Sequence, residues 1–265
     1  MTRPLRVLVA LVALAVSFLA GCGGDGSDAP DQPSAADADP ASLGSASAAT
    51  SLTDALTEIA DDFSAENPEV EVRFTFDSSS ILSTQILEGA PADVFASADE
   101  ATMTTLTDEG LLAGEPEVLA RNELVIVTKP GNPEGIETLA DLTDAGVISL
   151  CGEEVPCGRY AQEALDEAGV GIDESTVTRG QNAGATLTAV AEGDAVAGIV
   201  YVTDAAGASD AVEAIALPAD VNVVATYPIG VLDAAGDAEV AAAFVAYVLG
   251  EGQAVLEEHG FLAPA

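Results

Sequence analysis

The sequence predicts an α/β protein built mainly on parallel sheet. Strand-like stretches, either alternating or continuously apolar, are separated by stretches whose apolar residues recur every three or four positions. Bulk agrees: 265 residues, 49% of them hydrophobic, can bury a large core in one or two domains. No internal repeat is visible, and periodicity alone does not separate one domain from two interleaved ones.

Along the chain, Leu52, Ala55, Leu56, Ile59, Ala60 and Phe63 share one helical face, and Pro68 closes that stretch. VEVRFTF, Val70 to Phe76, alternates as a strand. ILSTQILEG is helical again and is stopped by Gly89 to Pro91. ADVFAS is a short buried strand, and EATMTTLTDEGLL a helix ending at Gly110. ELVIVT and VISL follow, then the helix RYAQEALDEAG, the segment TLTAVAEG, the strand AGIVYV and the segment VNVVATYPIGVL. A final helix covers Ala238 to Leu249, with GQAVLEEHGF after it.

The N-terminus is of another kind. Arg3 and Arg6 precede a short apolar run, Val7 to Leu19, and LAGC ends at Cys22. The run is too short to span a bilayer and looks like a bacterial lipoprotein signal, which implies removal of residues 1–21 and acylation of the Cys22 thiol. The alternative is an ordinary secretory peptide with an incidental cysteine. Residues 22–43 are mostly Gly, Ser, Ala, Pro and Asp, a flexible tether. The folded part is therefore expected at the extracytoplasmic face of the cell membrane, lipid-anchored.

Charge excludes some partners. With 45 Asp and Glu against 7 Lys and Arg, the formal net charge is −38, which disfavours nucleic acid and anionic lipid surfaces. The acidity reads as a solvated surface. Export also frames Cys151 and Cys157 in CGEEVPCG. An isolated pair in an oxidising compartment reads first as a disulfide, with free thiols and then a metal site as alternatives, because zinc needs two further ligands and the one histidine, His259, is remote in sequence. No metal cation and no cofactor is expected.

Three helix starts are candidates for chemistry. Ser51 precedes the first apolar helix, with Asp54 three residues on, so it either caps that helix or joins the helix N-terminus in holding an anion. Ser78 to Ser80 repeat the arrangement. In VPCGRYAQEAL, Pro156 and Gly158 shape a tight turn feeding a helix, where backbone N–H groups can converge. Tyr201 reads first as a half-buried strand aromatic. Arg159, beside that turn, reads more readily as a solvent-facing side chain than as an anion ligand. Asp93 and Asp99 have no base, nucleophile or metal set beside them and read as structural carboxylates.

The ordered set ATSLTDALTEIADDF, FDSSSILSTQILEGAPADVFASADEATM, RNELVIVTKPGNP, VPCGRYAQEALDEAG, GIVYVTDA and YPIGVL resembles the periplasmic molybdate-binding proteins of ABC importers, collinearly from about Ala48 to Phe261. The resemblance implies a type II periplasmic-binding-protein fold, two α/β lobes joined by crossing hinge strands: residues 44–123 with 228–265, and 124–227. It implies capture of molybdate, and of tungstate, by Ser51, Ser79 and Tyr201 and by backbone donors at Cys157 and Ala183. It also implies delivery to permease and ATPase subunits, by a monomer and without enzymatic turnover. Two departures stand out. Cys157 replaces an alanine, which a backbone contact tolerates. Before the ASL motif the chain reads LGSASAAT, whose Gly44, Ser45 and Ser47 are poor strand formers; either the strand is thin and held by its neighbours, or the domain begins differently.

Other readings are the same fold on sulfate or phosphate, an exported hydrolase using Cys157 or a serine, and an acidic surface protein. The chain contains no GxSxG, HExxH or GxxxxGK motif to favour the hydrolase. The charge makes one prediction for anion capture. Repulsion at long range is screened beyond about 8 Å at physiological ionic strength, so the association rate constant should rise with added inert salt. Stopped-flow binding at increasing salt tests this, and a falling rate would contradict it.

Overall fold

The computed structural model describes residues 41–264, with side chains from Ser45 onward. The signal-like segment, Cys22 and the first part of the tether lie outside the described residues.

Among the described residues, ten strands and eight α-helices alternate. The strands are β1 (Ala41–Ala49), β2 (Val70–Asp77), β3 (Val94–Ala96), β4 (Glu117–Asn122), β5 (Leu124–Thr128), β6 (Ile148–Cys151), β7 (Val177–Gly180), β8 (Ala197–Tyr201), β9 (Glu213–Ala216) and β10 (Ala225–Val231). The helices are α1 (Thr53–Glu66), α2 (Ser79–Leu87), α3 (Glu100–Asp108), α4 (Pro156–Glu167), α5 (Ala183–Ala191), α6 (Val202–Gly207), α7 (Ala238–Leu249) and α8 (Gln253–Glu258).

They build two five-stranded sheets, ordered β2-β1-β3-β10-β4 and β7-β6-β8-β5-β9. Each has a parallel half, β1 with β2 and β3 in one and β6 with β7 and β8 in the other. Each also has an antiparallel half, made by β10 and by β5. The sheets are therefore mixed rather than mainly parallel. The reason lies in the crossings: the chain leaves one sheet at Asn122 and enters the other at Leu124, and it returns into β10 after β9. The two strands that carry the chain into each sheet, β5 and β10, are the ones that run against their neighbours. Asn222 fastens the return path, its Oδ1 accepting from Leu124 N at 3.1 Å and its Nδ2 donating to Leu124 O at 3.0 Å.

The poor strand composition around Ser45 proves compatible with the centre of a sheet. β1 begins at Ala41, three residues inside the stretch expected as tether, and pairs on both sides through Ala46, Ser47 and Ala48. Its register slips between Leu43 and Ala46, and Asp93 braces that point: its N–H donates to Ser45 O at 2.7 Å, and its Oδ2 accepts from Ser45 N at 3.3 Å. Two ladders of backbone bonds hold what the small side chains do not. Above β1 and β2, Phe63 of α1 and Phe74 of β2 set their rings edge-on to Phe244 of α7, at 5.4 and 6.0 Å.

Near the crossings, α6 starts directly after β8, and Asp204 in its first turn accepts from Tyr201 N at 3.2 Å. Burial, with Asp54 as a nearby like charge, raises the Asp204 carboxyl to about 7 from its ordinary 3.8. Between those values the folded protein keeps a proton that the unfolded chain has released, so this group removes stability as pH rises through that window. Asp204→Asn keeps the acceptor and abolishes the titration. Its unfolding free energy should gain on that of the wild type from about pH 4 to about pH 7, then run parallel above it. Denaturant unfolding at a series of pH values tests this, and a gap independent of pH would contradict it.

Candidate functional site

The carboxyl ends of the parallel strands from both sheets face one cavity. β1 leads into Ser51, β2 into Ser78 and Ser79, β3 into Ala98, β6 through a short loop into Cys157, and β7 into Asn182 and Ala183; β8 ends on Tyr201. All of these line the cavity. Crevices outside the carboxyl ends of parallel strands are where open α/β sheets bind ligands. The cavity is tight, with about 10 Å³ of room, the scale of one water molecule. Ser51, Ser79, Cys157, Ala183 and Tyr201, far apart in the chain, are thus brought together.

Three helix N-termini converge here. Ser78 caps α2 by accepting from Ile81 N at 3.3 Å, which leaves Ser79 at the first helical position. Asn182 caps α5 by accepting from Ala185 N at 2.8 Å, which leaves Ala183 at its first position. α4 has Pro156 first, Cys157 second and no side-chain cap. N–H groups in a first turn have no acceptor within their own helix, and each helix dipole adds partial positive charge.

One of the hydroxyls is polarised in the same sense. Ser79 Oγ accepts from Ala98 N at 2.9 Å, so its own hydrogen is left to donate. Ser51 Oγ lies 2.9 Å from Tyr227 Oη. Tyr201 is not half-buried but 1% exposed, edge-on to Tyr227 with ring centroids 5.7 Å apart, and its hydroxyl makes no hydrogen bond of normal geometry among the described residues. Burial, first, and nearby acidic groups raise the Tyr201 phenol well above its ordinary range, so it stays protonated as a donor.

Among the described residues no charged side chain lines the cavity. The flanking acids are occupied. Asp77 Oδ1 accepts from Ser78 N at 2.7 Å and, across the two sheets, from Asn182 Nδ2 at 2.9 Å. Asp99 caps α3 through Thr102 N at 2.9 Å and pairs with Arg159, whose Nε is 3.1 Å from Asp99 Oδ2. Arg159 also donates to Thr102 Oγ1 at 2.9 Å and to the Glu154 carbonyl. It therefore neither enters the cavity nor points away into solvent, but joins the element carrying Cys157 to the one carrying Ala98. Ser80 Oγ adds a parallel bond to Glu154 O at 2.7 Å.

Cys151 and Cys157 form a disulfide with a Cα–Cα separation of 5.7 Å, tying the end of β6 to the first turn of α4. Gly158 belongs to the same construction: a Cβ there would sit 1.9 Å from Gly152 O, so only glycine allows the helix start this close to the strand end. Asp93 holds Gly236 N at 2.7 Å as well as Ser45, and His259 bonds Glu58 at 2.8 Å on the surface. Among the described residues no cluster of His, Cys, Asp and Glu is arranged to hold a metal ion, and no helix is long and apolar enough to cross a membrane.

Sequence reasoning missed Asn182, Ala98, Tyr227 and Asn122. Asn182 carried a signal, an amide three residues before Ala185 at a helix start. The others carried none, because their role depends on which strands end side by side.

The family described as bacterial extracellular solute-binding protein matches residues 46–262. The molybdate-binding protein ModA of Mycobacterium tuberculosis is 40% identical over 220 residues, 81% of this chain and 82% of its own length. Among solved structures, the substrate binding domain of a putative molybdenum ABC transporter from Clostridium difficile superposes with a TM-score of 0.64 at 27% identity, over 84% of this chain and 99% of that one. The periplasmic molybdate-binding protein of Azotobacter vinelandii gives a TM-score of 0.75 at 21% identity, over 83% of this chain and 99% of that one, a likeness of fold.

The disulfide should matter to anion binding by fixing the α4 start in advance. Its reduction, or paired Cys151→Ser and Cys157→Ser substitution, is expected to weaken binding by about fivefold, near 1 kcal/mol of restored ordering cost. Calorimetric titration of oxidised and reduced protein checks this, and equal affinities would contradict it.

Proposed function

Because the chain belongs to the bacterial extracellular solute-binding proteins, we propose that it captures molybdate, and equally tungstate, between two closing lobes for an ABC importer. The observation that carries the ligand is the cavity's donor set. Three helix starts and the hydroxyls of Ser51, Ser79 and Tyr201 meet in a space of about 10 Å³ that no charged side chain of the described residues enters.

A tetrahedral oxyanion dianion offers four acceptor oxygens and no donor, so a site of donors satisfies it completely. Desolvated hydrogen bonds to a charged group are each worth about 1.5 to 3 kcal/mol. Five to seven of them, less the costs of dehydration and closure, are of the order needed for submicromolar affinity. In this reading Ser51, Ser79 and Tyr201 donate through side chains, and Cys157 and Ala183 through backbone N–H groups. Sulfate, being smaller, would leave some of these donors at stretched distances. Tungstate matches molybdate in charge and size and is bound alike.

Residues 44–123 with 228–265, and 124–227, act as the lobes, except that Ala225 to Tyr227 already pair with β4 of the first sheet, and they turn about the paired crossings. Capture is then a shift toward the closed state, which Asp99–Arg159, Ser80–Glu154 and Asp77–Asn182 favour by bonding across the cleft. The acylated Cys22 and tether keep the protein at the membrane's outer face, within reach of the permease.

Thermal unfolding with molybdate, tungstate, sulfate and phosphate, each at one concentration, tests this reading. A ligand at 100 times its dissociation constant adds about 2.7 kcal/mol, a rise of a few degrees. Molybdate and tungstate should raise Tm and sulfate and phosphate should not; Tyr201→Phe should weaken molybdate binding by about tenfold or more. A rise with sulfate or phosphate alone would replace the ligand, and no rise with any of the four would overturn the reading.

A further inference from the structure

A serine hydroxyl is an ambiguous ligand group, since it presents either its hydrogen or a lone pair. The chain of contacts behind Ser51 removes that ambiguity. Asn122 is fully buried, and its orientation is fixed by the backbone: Oδ1 accepts from Glu123 N at 2.9 Å, an obligate donor. The Nδ2 group must therefore face the other way, where it donates to Thr203 Oγ1 at 2.8 Å and to Tyr227 Oη at 3.3 Å. Tyr227 is fully buried too, so no water offers its hydroxyl another direction. With a lone pair engaged by Asn122 and no hydrogen bond of normal geometry to the Tyr201 hydroxyl, its proton has one acceptor, Ser51 Oγ at 2.9 Å. Burial raises the Tyr227 phenol well above its ordinary range, with Asp204 adding to the rise, so that proton is present. Ser51 Oγ accepts, and its own hydrogen is left for the cavity.

We infer that Asn122 and Tyr227 are positioning residues that set a one-way hydrogen-bond relay, Asn122 to Tyr227 to Ser51, so that Ser51 only donates and the site discriminates against oxyanions carrying a proton. This rests on the oxyanion reading above. Ser79 is polarised likewise by Ala98 N. A ligand O–H that faces Ser51 or Ser79 therefore meets a hydrogen already pointing at it rather than a lone pair.

The relay can be reversed by one substitution. In Asn122→Asp, the group facing Tyr227 becomes an acceptor. The Tyr227 proton then goes to the introduced carboxylate, Ser51 must donate to Tyr227, and a Ser51 lone pair is turned on the ligand. Calorimetric titration with molybdate of wild type, Asn122→Asp, Tyr227→Phe and the double variant separates this from a plain charge effect. Asn122→Asp should bind at least about tenfold more weakly, the loss of one hydrogen bond to a charged group. Tyr227→Phe alone should lose only a few-fold, because the Ser51 hydroxyl is then free to rotate and still donate. The double variant should recover most of the Asn122→Asp loss. A double variant as weak as Asn122→Asp, or an Asn122→Asp protein that binds like wild type, would overturn the relay.

Thermal unfolding of each variant establishes that it is folded. Should Asn122→Asp fail to fold, selectivity decides on Tyr227→Phe. Releasing the Ser51 hydroxyl should narrow the ratio of affinities for molybdate and hydrogen phosphate, which carries an O–H near neutral pH, by about tenfold. A ratio unchanged from wild type would overturn the proposal. If the wild type itself does not bind molybdate, the oxyanion reading fails; if it binds and the ratio is unmoved, the relay alone fails.

Discussion

A dianion can leave water for a protein interior only if something replaces its hydration, and a chain with 45 acidic side chains has little positive charge to offer. The replacement proposed here is dipolar: N–H groups at the starts of α2, α4 and α5, the Ser51 and Ser79 hydroxyls with a lone pair already engaged, and the protonated Tyr201 phenol. Most of the architecture follows from that requirement. Helix starts can converge only where parallel strands from two sheets end at one place, and the two sheets can face each other only if the chain crosses between them twice. The antiparallel pairs of each sheet are made by the crossing strands, β5 and β10.

Dipoles suffice only if nearby full charges are silent. Of the two carboxylates next to cavity residues, Asp99 gives one oxygen to the Thr102 N–H and the other to Arg159, while Asp77 receives both the Ser78 N–H and Asn182 Nδ2 on Oδ1. The same bonds that quiet the acids also draw the lobes together. In the proposed mechanism closure and electrostatic preparation of the site are one event: moving Asn182 and Arg159 away would open the cleft and release both carboxylates at once.

Much of this was legible in the sequence, unevenly. Ser51 and Ser78 to Ser80 stood out because short oxygen-bearing side chains just before an apolar periodic run mark an N-cap, a local pattern; Ser78 does cap α2, whereas Ser51 caps nothing, since α1 starts from Leu52 without a side-chain cap. The Cys151–Cys157 bridge was legible for a similar reason, its partners being near neighbours. β4, β7 and β9 were not, because their exposed Glu117, Thr178 and Glu213 break the apolar pattern that marks a strand. β1 was the reverse case, a central strand with almost no side-chain signal because backbone ladders on both flanks hold it. Asn122 and Tyr227, 105 residues apart, meet only where β4 and β10 pair, so no local pattern could announce them.

Cys157 has two separable duties. Its sulfur closes the loop with Cys151, while the proposed ligand contact belongs to its backbone, which any residue but proline possesses. A position whose chemistry resides in the main chain is open to mutational drift in its side chain, and such drift can install a cross-link without passing through a loss of binding. Ala183 has the same freedom, whereas Ser51, Ser79 and Tyr201 do not. In the proposed site the ligand chemistry thus rests on three hydroxyls, while at Cys157 and Ala183 the side chain is free to set rigidity without touching what is bound.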